Sequence, residues 1–569
     1  MAISISIVSV LGILHFVDVP LQFSPYSLIP DFPIVIWIAL FSVILGLLLV
    51  LANKKKQKDS TIILAIIVLV TVFYGIMTIS ERNLTYTDSW TNILTAEKIF
   101  ENGRSSLTYS ADSSWPSFYI FFAEFKMVTG IDFFTIARFL PTILNCLAFA
   151  WIFILFRKLG LKNKAALIAI IALILVDTMV YTDVSPTNFA FALYCSLLYL
   201  VFIKKQTSQN RSYMIIFLLL FATIVTSHAL IPAFLLFPML LFPVVAFVLK
   251  QNNKIVRIGN EFYAGIILWI FWNVFAIAPF WWQTVASYVH GFFSHVSTLS
   301  SPISRSLNYF LYGTPPLGIQ LTTFLILGLI LSIALIGFFA YIIQSPRWLR
   351  ARNTLKKNMY WSRFLVLFSL FVGCIITALI PYFLLGGTVD TSKVLLFIWI
   401  PVVFFVGTVF AKLKRKRRQI FSILLILLLI PAFCIFNWNE FWLSNHDWEL
   451  SSAQFIGAKA PPSTIITDSY SSALIHYYSP NSTFESEGLP EKPELALPAF
   501  LGNVPPTELK WQNGTLIQWN YFVRSARQSV IMNIDFGTGN QTLSKLDTYL
   551  SKPPINRIYD NGFVQIYER

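Results

Sequence analysis

The chain has 569 residues, a formal net charge of +15 and a mean hydropathy of +0.68; 56% of its residues are hydrophobic, 16% aromatic and only 12% charged. Soluble globular chains carry about 25% charged residues, so a soluble enzyme is excluded. The absence of a tripeptide or heptad period excludes collagen-like and coiled-coil architectures. What remains is a polytopic membrane protein, whose positive charge has to be explained by where the charges sit.

Apolar segments of membrane-spanning length fall at 33–52, 61–80, 136–157, 165–182, 187–203, 212–228, 229–249, 262–282, 320–343, 364–385, 394–411 and 420–437. A further candidate at 3–19 is short, ends at Asp18 and runs into Pro20 and Pro25. It lacks the basic start and small-residue cleavage site of a signal peptide. The fold class expected is therefore a polytopic α-helical membrane protein of 12 to 13 spans with a small C-terminal α/β domain. Residues 1–60 read as an N-terminal hydrophobic hairpin, 61–437 as the transmembrane domain and 438–569 as a soluble domain.

Alternate loops are basic. Lys54 to Lys58, Arg157 to Lys164, Lys204 to Arg211, Lys250 to Arg257, Arg347 to Arg363 and Lys412 to Arg418 hold well over half of the 42 lysines and arginines, with Asp59 and Glu261 as their only acids. The positive-inside rule makes these loops cytoplasmic, so the charge is a topology signal and requires no nucleic acid. The loops 81–135 and 283–319 and the tail from 438 then lie outside, with the bilayer expected to be the plasma membrane. Acceptor triplets at Asn83, Asn481, Asn513 and Asn540 fall outside on this map, and Asn210 inside. Cys146, Cys195, Cys374 and Cys434 lie within apolar spans, so no disulfide framework is expected.

In the tail, Ser463 to Thr467 and Val530 to Ile534 read as strands, Arg557 to Tyr567 as a hairpin turning at Asp560-Asn561-Gly562, and 488–506 as a proline-rich loop.

The polar chemistry gathers at the outer face. Tyr86-Thr87-Asp88-Ser89-Trp90 opens an amphipathic helix with Trp90, Ile93, Leu94 and Phe100 on its apolar side and Asn92, Thr95, Lys98 and Glu101 on its polar side, ending at Gly103. Such a helix is expected to lie along the membrane surface. Asp88 at its start is either an N-cap or a carboxylate able to deprotonate a hydroxyl at the lipid boundary. Asp183, in the turn Tyr181 to Pro186, serves turn chemistry ahead of a helix or is a second site acid. His228 is a histidine bonded to neighbouring helices or a ligand or base. Lys393, beside Asp390, Thr391 and Ser392, carries positive charge against the orientation rule: it snorkels or holds a lipid phosphate. Arg138 and Arg305 have the same two readings. Inside the spans almost no ionisable group appears apart from Asp177, which weighs against an ion-coupled transporter or flippase; a non-catalytic membrane scaffold is the other alternative.

An outer loop opening on Asp88 and Trp90, an acid in the next outer turn, a cation before a late span and a soluble tail together resemble the GT-C superfamily of membrane glycosyltransferases. The segments Trp115 to Tyr119 and Ile136 to Pro141, and the closing Ile558 to Gly562, look like its uncharacterised archaeal and prokaryotic members. The resemblance covers about residues 61–411. It implies transfer of a sugar from a polyprenyl-phosphate (dolichyl-phosphate type) carrier to a lipid, protein or glycan acceptor hydroxyl by inverting displacement. Asp88 would be the base, Asp183 a second acid, and Lys393 the partner of the carrier phosphate, with His228, Arg138, Arg305 and Trp90 contributing to substrate binding. A divalent cation, Mg or Mn, would rest on Asp88 and Asp183, although the first loop has one acid in place of an acid-X-acid pair. The tail lacks a Trp-Trp-Asp motif, which sets the chain apart from oligosaccharyltransferases acting on asparagine.

Overall fold

The structure, a computed structural model, describes residues 34–53, 55, 57–75, 84, 87–104, 115–176, 183–203, 211–248, 260–276, 317–343, 365–377, 391–443, 447–459, 464–467, 474–475, 477–479, 483–486, 520–525, 546–552, 555–560 and 564–568. In chain order the helices are α1 (Ile34–Ala52), α2 (Asp59–Tyr74), α3 (Thr87–Asn102), α4 (Ser117–Thr129), α5 (Phe133–Lys158), α6 (Asn163–Val176), α7 (Pro186–Ile203), α8 (Arg211–Val225), α9 (Ile231–Val248) and α10 (Asn260–Phe271, continued by a π turn Trp272–Ala276). There follow α11 (Leu317–Ile343), α12 (Leu365–Thr377), α13 (Thr391–Lys412), α14 (Arg415–Leu427), α15 (Leu429–Leu443) and α16 (Asp447–Lys459).

Each of the twelve apolar segments read from the sequence falls on one of these helices; the candidate at 3–19 lies outside the described residues. Among the described residues four helices are long and apolar enough to cross a membrane, Ile34–Ala52, Phe133–Lys158, Gly318–Ile343 and Arg415–Phe436, and eight shorter apolar helices pack among them. Leu325, Ile336 and Ile267 expose their side chains on outward faces, as a lipid-facing belt requires, because a bilayer rather than water meets them. The helix α6 is the reverse case: it is buried on all sides and apolar all round.

Close approach fixes α13 in the bundle. A Cβ at Gly407 would stand 2.7 Å from the Ala165 carbonyl oxygen of α6, and one at Gly337 would run into the backbone of Phe405. Only hydrogen fits where two helix backbones touch.

Basic residues of the described loops meet at one end of the bundle. Arg157 pairs with Asp59 at 3.4 Å, Asn163 donates to the Gln57 carbonyl, and Lys164 donates to the carbonyls of Leu51 and Asn53 at the end of α1. At the same end Lys412 donates to the Ala340 carbonyl at 3.1 Å. Cations thus cap helix C-termini where unpaired carbonyls concentrate negative charge.

The tail builds a mixed five-stranded sheet of order β2-β1-β3-β5-β4 from β1 (Thr464–Thr467), β2 (Thr483–Ser486), β3 (Tyr521–Ser525), β4 (Asn556–Asp560) and β5 (Val564–Glu568). The strand expected at Ser463 to Thr467 is β1, and the expected hairpin is the antiparallel pair β4–β5, with a bulge between Arg557 and Tyr559. The pairings β1–β2 and β1–β3 are parallel and β3–β5 is antiparallel. Strands β2 and β3 were not anticipated, and Val530 to Ile534 and 488–506 lie outside the described residues.

Candidate active site

The helix α3 begins at Thr87, which puts Asp88 in its first turn, and it ends at Gly103 in the left-handed conformation (φ 65°) as its sequence anticipates. Its inward face is Ser89, Trp90, Asn92, Ile93 and Ala96, all buried. This corrects the expectation that Asn92 faces water: that face of α3 packs into the protein, and its polar groups are used there.

Two hydrogen bonds join α3 to the turn that holds Asp183. The Val184 N–H donates to Ser89 Oγ at 3.3 Å, and Asn92 Nδ2 donates to the Val184 carbonyl at 2.8 Å. Asn92 Oδ1 in turn accepts from the Tyr119 hydroxyl of α4 at 3.0 Å. The neighbour of Asp88 is therefore bonded to the neighbour of Asp183, and Asp183 itself is buried (6% exposed). Ser185 Oγ accepts from the Asn188 N–H at 3.3 Å, so the sequence Ser185-Pro186 starts α7 as its spacing anticipates.

Lys393 sits in the first turn of α13. One turn further, the Phe397 ring lies 5.4 Å from Phe191, 5.0 Å from Tyr194 and 4.2 Å from Phe234. These rings belong to the opening turns of α7 and α9, so α7, α9 and α13 start level with one another at the end of the bundle that carries Asp183. The backbone thus brings the segments bearing Asp88, Asp183 and Lys393 to one end, opposite the basic loops. Three helix N-termini gather there and their dipoles favour an anion, although Ser185 and His228 take up N–H groups at the starts of α7 and α9.

His228 lies at the same end and caps α9: its Nδ1 accepts from the N–H groups of Leu230 at 3.1 Å and Ile231 at 3.4 Å. Arg138 is half-buried near the start of α5, with its guanidinium 5.8 Å from the Phe139 ring centre. Arg305 lies outside the described residues. Trp90 is 1% exposed and enclosed by Phe134, Tyr477 and Tyr478, with ring centres 6.0, 4.8 and 6.1 Å away. That enclosure makes it the packing contact between α3 and the C-terminal unit, in place of the substrate-facing role expected.

Residues beyond those expected complete the surroundings. The Tyr477 hydroxyl donates to Glu97 of α3 at 3.5 Å. Burial raises Glu97 against the pull of Lys126, and burial beside Glu97 pushes Tyr477 up to about 12. The Lys126 ammonium also lies over the rings of Phe133 at 4.2 Å and Phe100 at 4.7 Å. Asp132 caps α5, accepting from the Thr135 N–H at 2.8 Å, and that hydrogen bond holds its carboxyl below the usual range. The spacing of Ser89, Asn92 and Ala96 places all three on one helical face and carried a signal for the role of Asn92; nothing local pointed to Tyr477.

Among the described residues no three His, Cys, Asp or Glu side chains gather as a metal cluster. A magnesium-type ion needs only one or two carboxylates when substrate phosphates complete its shell. Asp88 and Asp183 are the acids whose segments the fold brings together.

No protein-family model matches the sequence, and no curated protein does. Among solved structures, the Archaeoglobus fulgidus oligosaccharyltransferase in complex with Zn and sulfate aligns with a TM-score of 0.51 and 12% identity, over 86% of this chain and 71% of that one. ArnT from Cupriavidus metallidurans bound to undecaprenyl phosphate aligns with a TM-score of 0.45 and 10% identity, over 89% and 97%. At 12% identity the likeness to the archaeal enzyme speaks to architecture alone. Taken with the helical bundle, the inward-packed first-loop helix and the C-terminal sheet, it gives this polytopic membrane protein the GT-C type of fold.

Proposed function

We propose that the chain is a membrane glycosyltransferase that moves a sugar from a polyprenyl-phosphate carrier to an acceptor hydroxyl at the extracytoplasmic face. The observation that carries the reading is the pair of hydrogen bonds with Val184, its N–H donating to Ser89 Oγ and its carbonyl accepting from Asn92 Nδ2, which ties the helix that holds Asp88 to the Asp183 turn. The level starts of α7, α9 and α13 support assigning Lys393 to the same end. The positive-inside rule, applied to the basic loops at the far end, supports an extracytoplasmic site. The fold neighbour above adds support, being an oligosaccharyltransferase.

In this reading Asp88 takes the proton from the acceptor hydroxyl as its oxygen attacks the anomeric carbon. The bond from that carbon to the phosphate oxygen breaks on the opposite face, the electron pair leaves with the phosphate, and the configuration inverts. Lys393 and the helix N-termini stabilise the departing phosphate, the largest electrostatic need of the step. Base assistance contributes about 10²- to 10⁴-fold. Asp88 and Asp183 would hold a divalent cation, which would neutralise phosphate charge. The buried Asp183 otherwise orients the first-loop helix through its turn.

The test is incubation of membranes containing the full chain with polyprenyl-phosphate sugars, followed by detection of a glycosylated lipid or protein. Asp88→Asn should abolish product at unchanged expression. Because Asn caps a helix about as well as Asp, a silent Asp88→Asn would reduce Asp88 to a cap and remove the proposed base.

A further inference from the structure

The basic end of the bundle contains an apolar cavity of about 130 Å³ between α11, α12 and α13, walled by Leu331, Ala334, Phe338, Leu367, Phe371 and Phe405. Nothing in the proposed transfer uses it. Along α13, at 1.5 Å per residue, Phe405 lies about 10 Å from Lys412 and about 20 Å from Thr391, while Val402 lies midway, so the cavity runs from the middle of the bundle toward the basic end. No polar group turns into it, so water has no partners there; apolar cavities of about this size stay dry and accept apolar guests. Its α11 wall opens sideways: Leu331 and Leu335 are 44% and 47% exposed, and Ile336 and Phe339 beside them face outward as well. In a bilayer, the molecules that meet such an opening are hydrocarbon chains.

A second observation names the head group. Lys412 crosses from α13 to α11 on the basic-loop side of the cavity, donating to the carbonyl of Ala340, half a turn beyond the wall residue Phe338. That bond uses one of the three donors of the ammonium. The exposed basic run Lys414, Arg415, Lys416 and Arg417 follows directly. A cation on the basic-loop side of a dry, laterally open cavity is complementary to an anionic phospholipid, with phosphate against ammonium and acyl chain toward the cavity. We infer that this cavity is a structural lipid site, in the leaflet facing the basic loops, for one acyl chain of an anionic phospholipid whose phosphate is held by Lys412. The site is independent of the glycosyltransferase reading.

The full chain in nanodiscs of phosphatidylcholine doped with phosphatidylglycerol bearing a diazirine on its acyl chain provides the test. Photolabel should concentrate on peptides containing Leu331 to Phe338 and Leu367 to Phe371, relative to the lipid-facing Leu219 of α8. Ala334→Phe, which fills the cavity, should abolish that enrichment. Lys412→Gln should reduce it about fivefold, the effect of one interfacial cation on an anionic lipid, while leaving the weaker labelling by a phosphatidylcholine probe unchanged. Uniform labelling, equal enrichment with phosphatidylcholine, an unaffected Lys412→Gln, selective labelling by a polyprenyl phosphate probe, or cross-links between two copies through these peptides would each overturn the assignment. If Ala334→Phe does not fold, Lys412→Gln decides by itself.

Discussion

Replacing Asn92 by leucine tests the link between the two acid-bearing segments. Asn92 is 6% exposed and closes two hydrogen bonds, to the Val184 carbonyl at 2.8 Å and from the Tyr119 hydroxyl at 3.0 Å. Leucine matches its size but satisfies neither group. The two lost buried hydrogen bonds cost about 1–3 kcal/mol each, and the added apolar burial returns about 1–2 kcal/mol, so the net loss is about 0–5 kcal/mol, centred on roughly 2–3. Tyr119→Phe removes only the donor and should cost about 1 kcal/mol. The double variant relieves the stranded hydroxyl and should be less destabilised than the sum of the two, as coupled neighbours are. A thiol-reactive dye can follow thermal unfolding in detergent, because Cys195 and Cys374 are free and buried until the bundle opens. Asn92→Leu should melt earlier, and its glycosyl transfer per folded molecule should fall because the Asp183 turn is no longer held against α3. Unchanged melting would refute the hydrogen-bond argument, and earlier melting with full transfer per folded molecule would refute the link to catalysis.

Three further outcomes follow from the same structure. Burial raises Glu97 above the ordinary carboxylate value of 4.5, so its contribution to docking of the C-terminal unit is complete below that value and is lost as pH rises through the raised one. Proteolysis of the 438–460 connection should therefore grow with pH in the native protein and become flat in Glu97→Gln. Asp132→Ala should cost about 1 kcal/mol whereas Asp132→Asn should be nearly silent; since its carboxyl is held below the usual 3.8, the stabilisation is present above that value and lost as pH falls through the lowered one, which melting at graded pH reads directly. Gly407→Ala forces a methyl group to 2.7 Å from the Ala165 carbonyl oxygen, and overpacking of this kind costs about 1–3 kcal/mol, visible as earlier dye labelling; an unchanged melt would contradict the close approach of α13 and α6.

The spans were legible in the sequence because a bilayer demands a long apolar run, and a run is local. The convergence of the basic loops followed from the same logic, and Lys164 and Arg157 meet α1 and α2 where the charge alternation suggested. Asn92 was misread because the helical wheel assigned polarity to water, whereas here a protein carbonyl 92 residues away receives it. Trp90 was taken for a boundary or substrate residue because its real neighbours, Tyr477 and Tyr478, are supplied by the tail. The same distance in sequence hid strand β3, whose parallel partner β1 and antiparallel partner β5 no local pattern could name. Of the candidate residues, Asp88, Asp183 and Lys393 reach one end through helix starts that the sequence marks, while His228 became a cap because two N–H groups at the head of α9 needed an acceptor.

The contact between Trp90 and Tyr477 also sets an order on biogenesis. An early hydrophobic side chain waits, through the insertion of the later helices, for a cover that the ribosome delivers only after α15. A nascent chain released after α15 would hold every apolar helix of the described residues yet leave that indole uncovered, so quality control that senses exposed aromatic surface could tell unfinished molecules from finished ones.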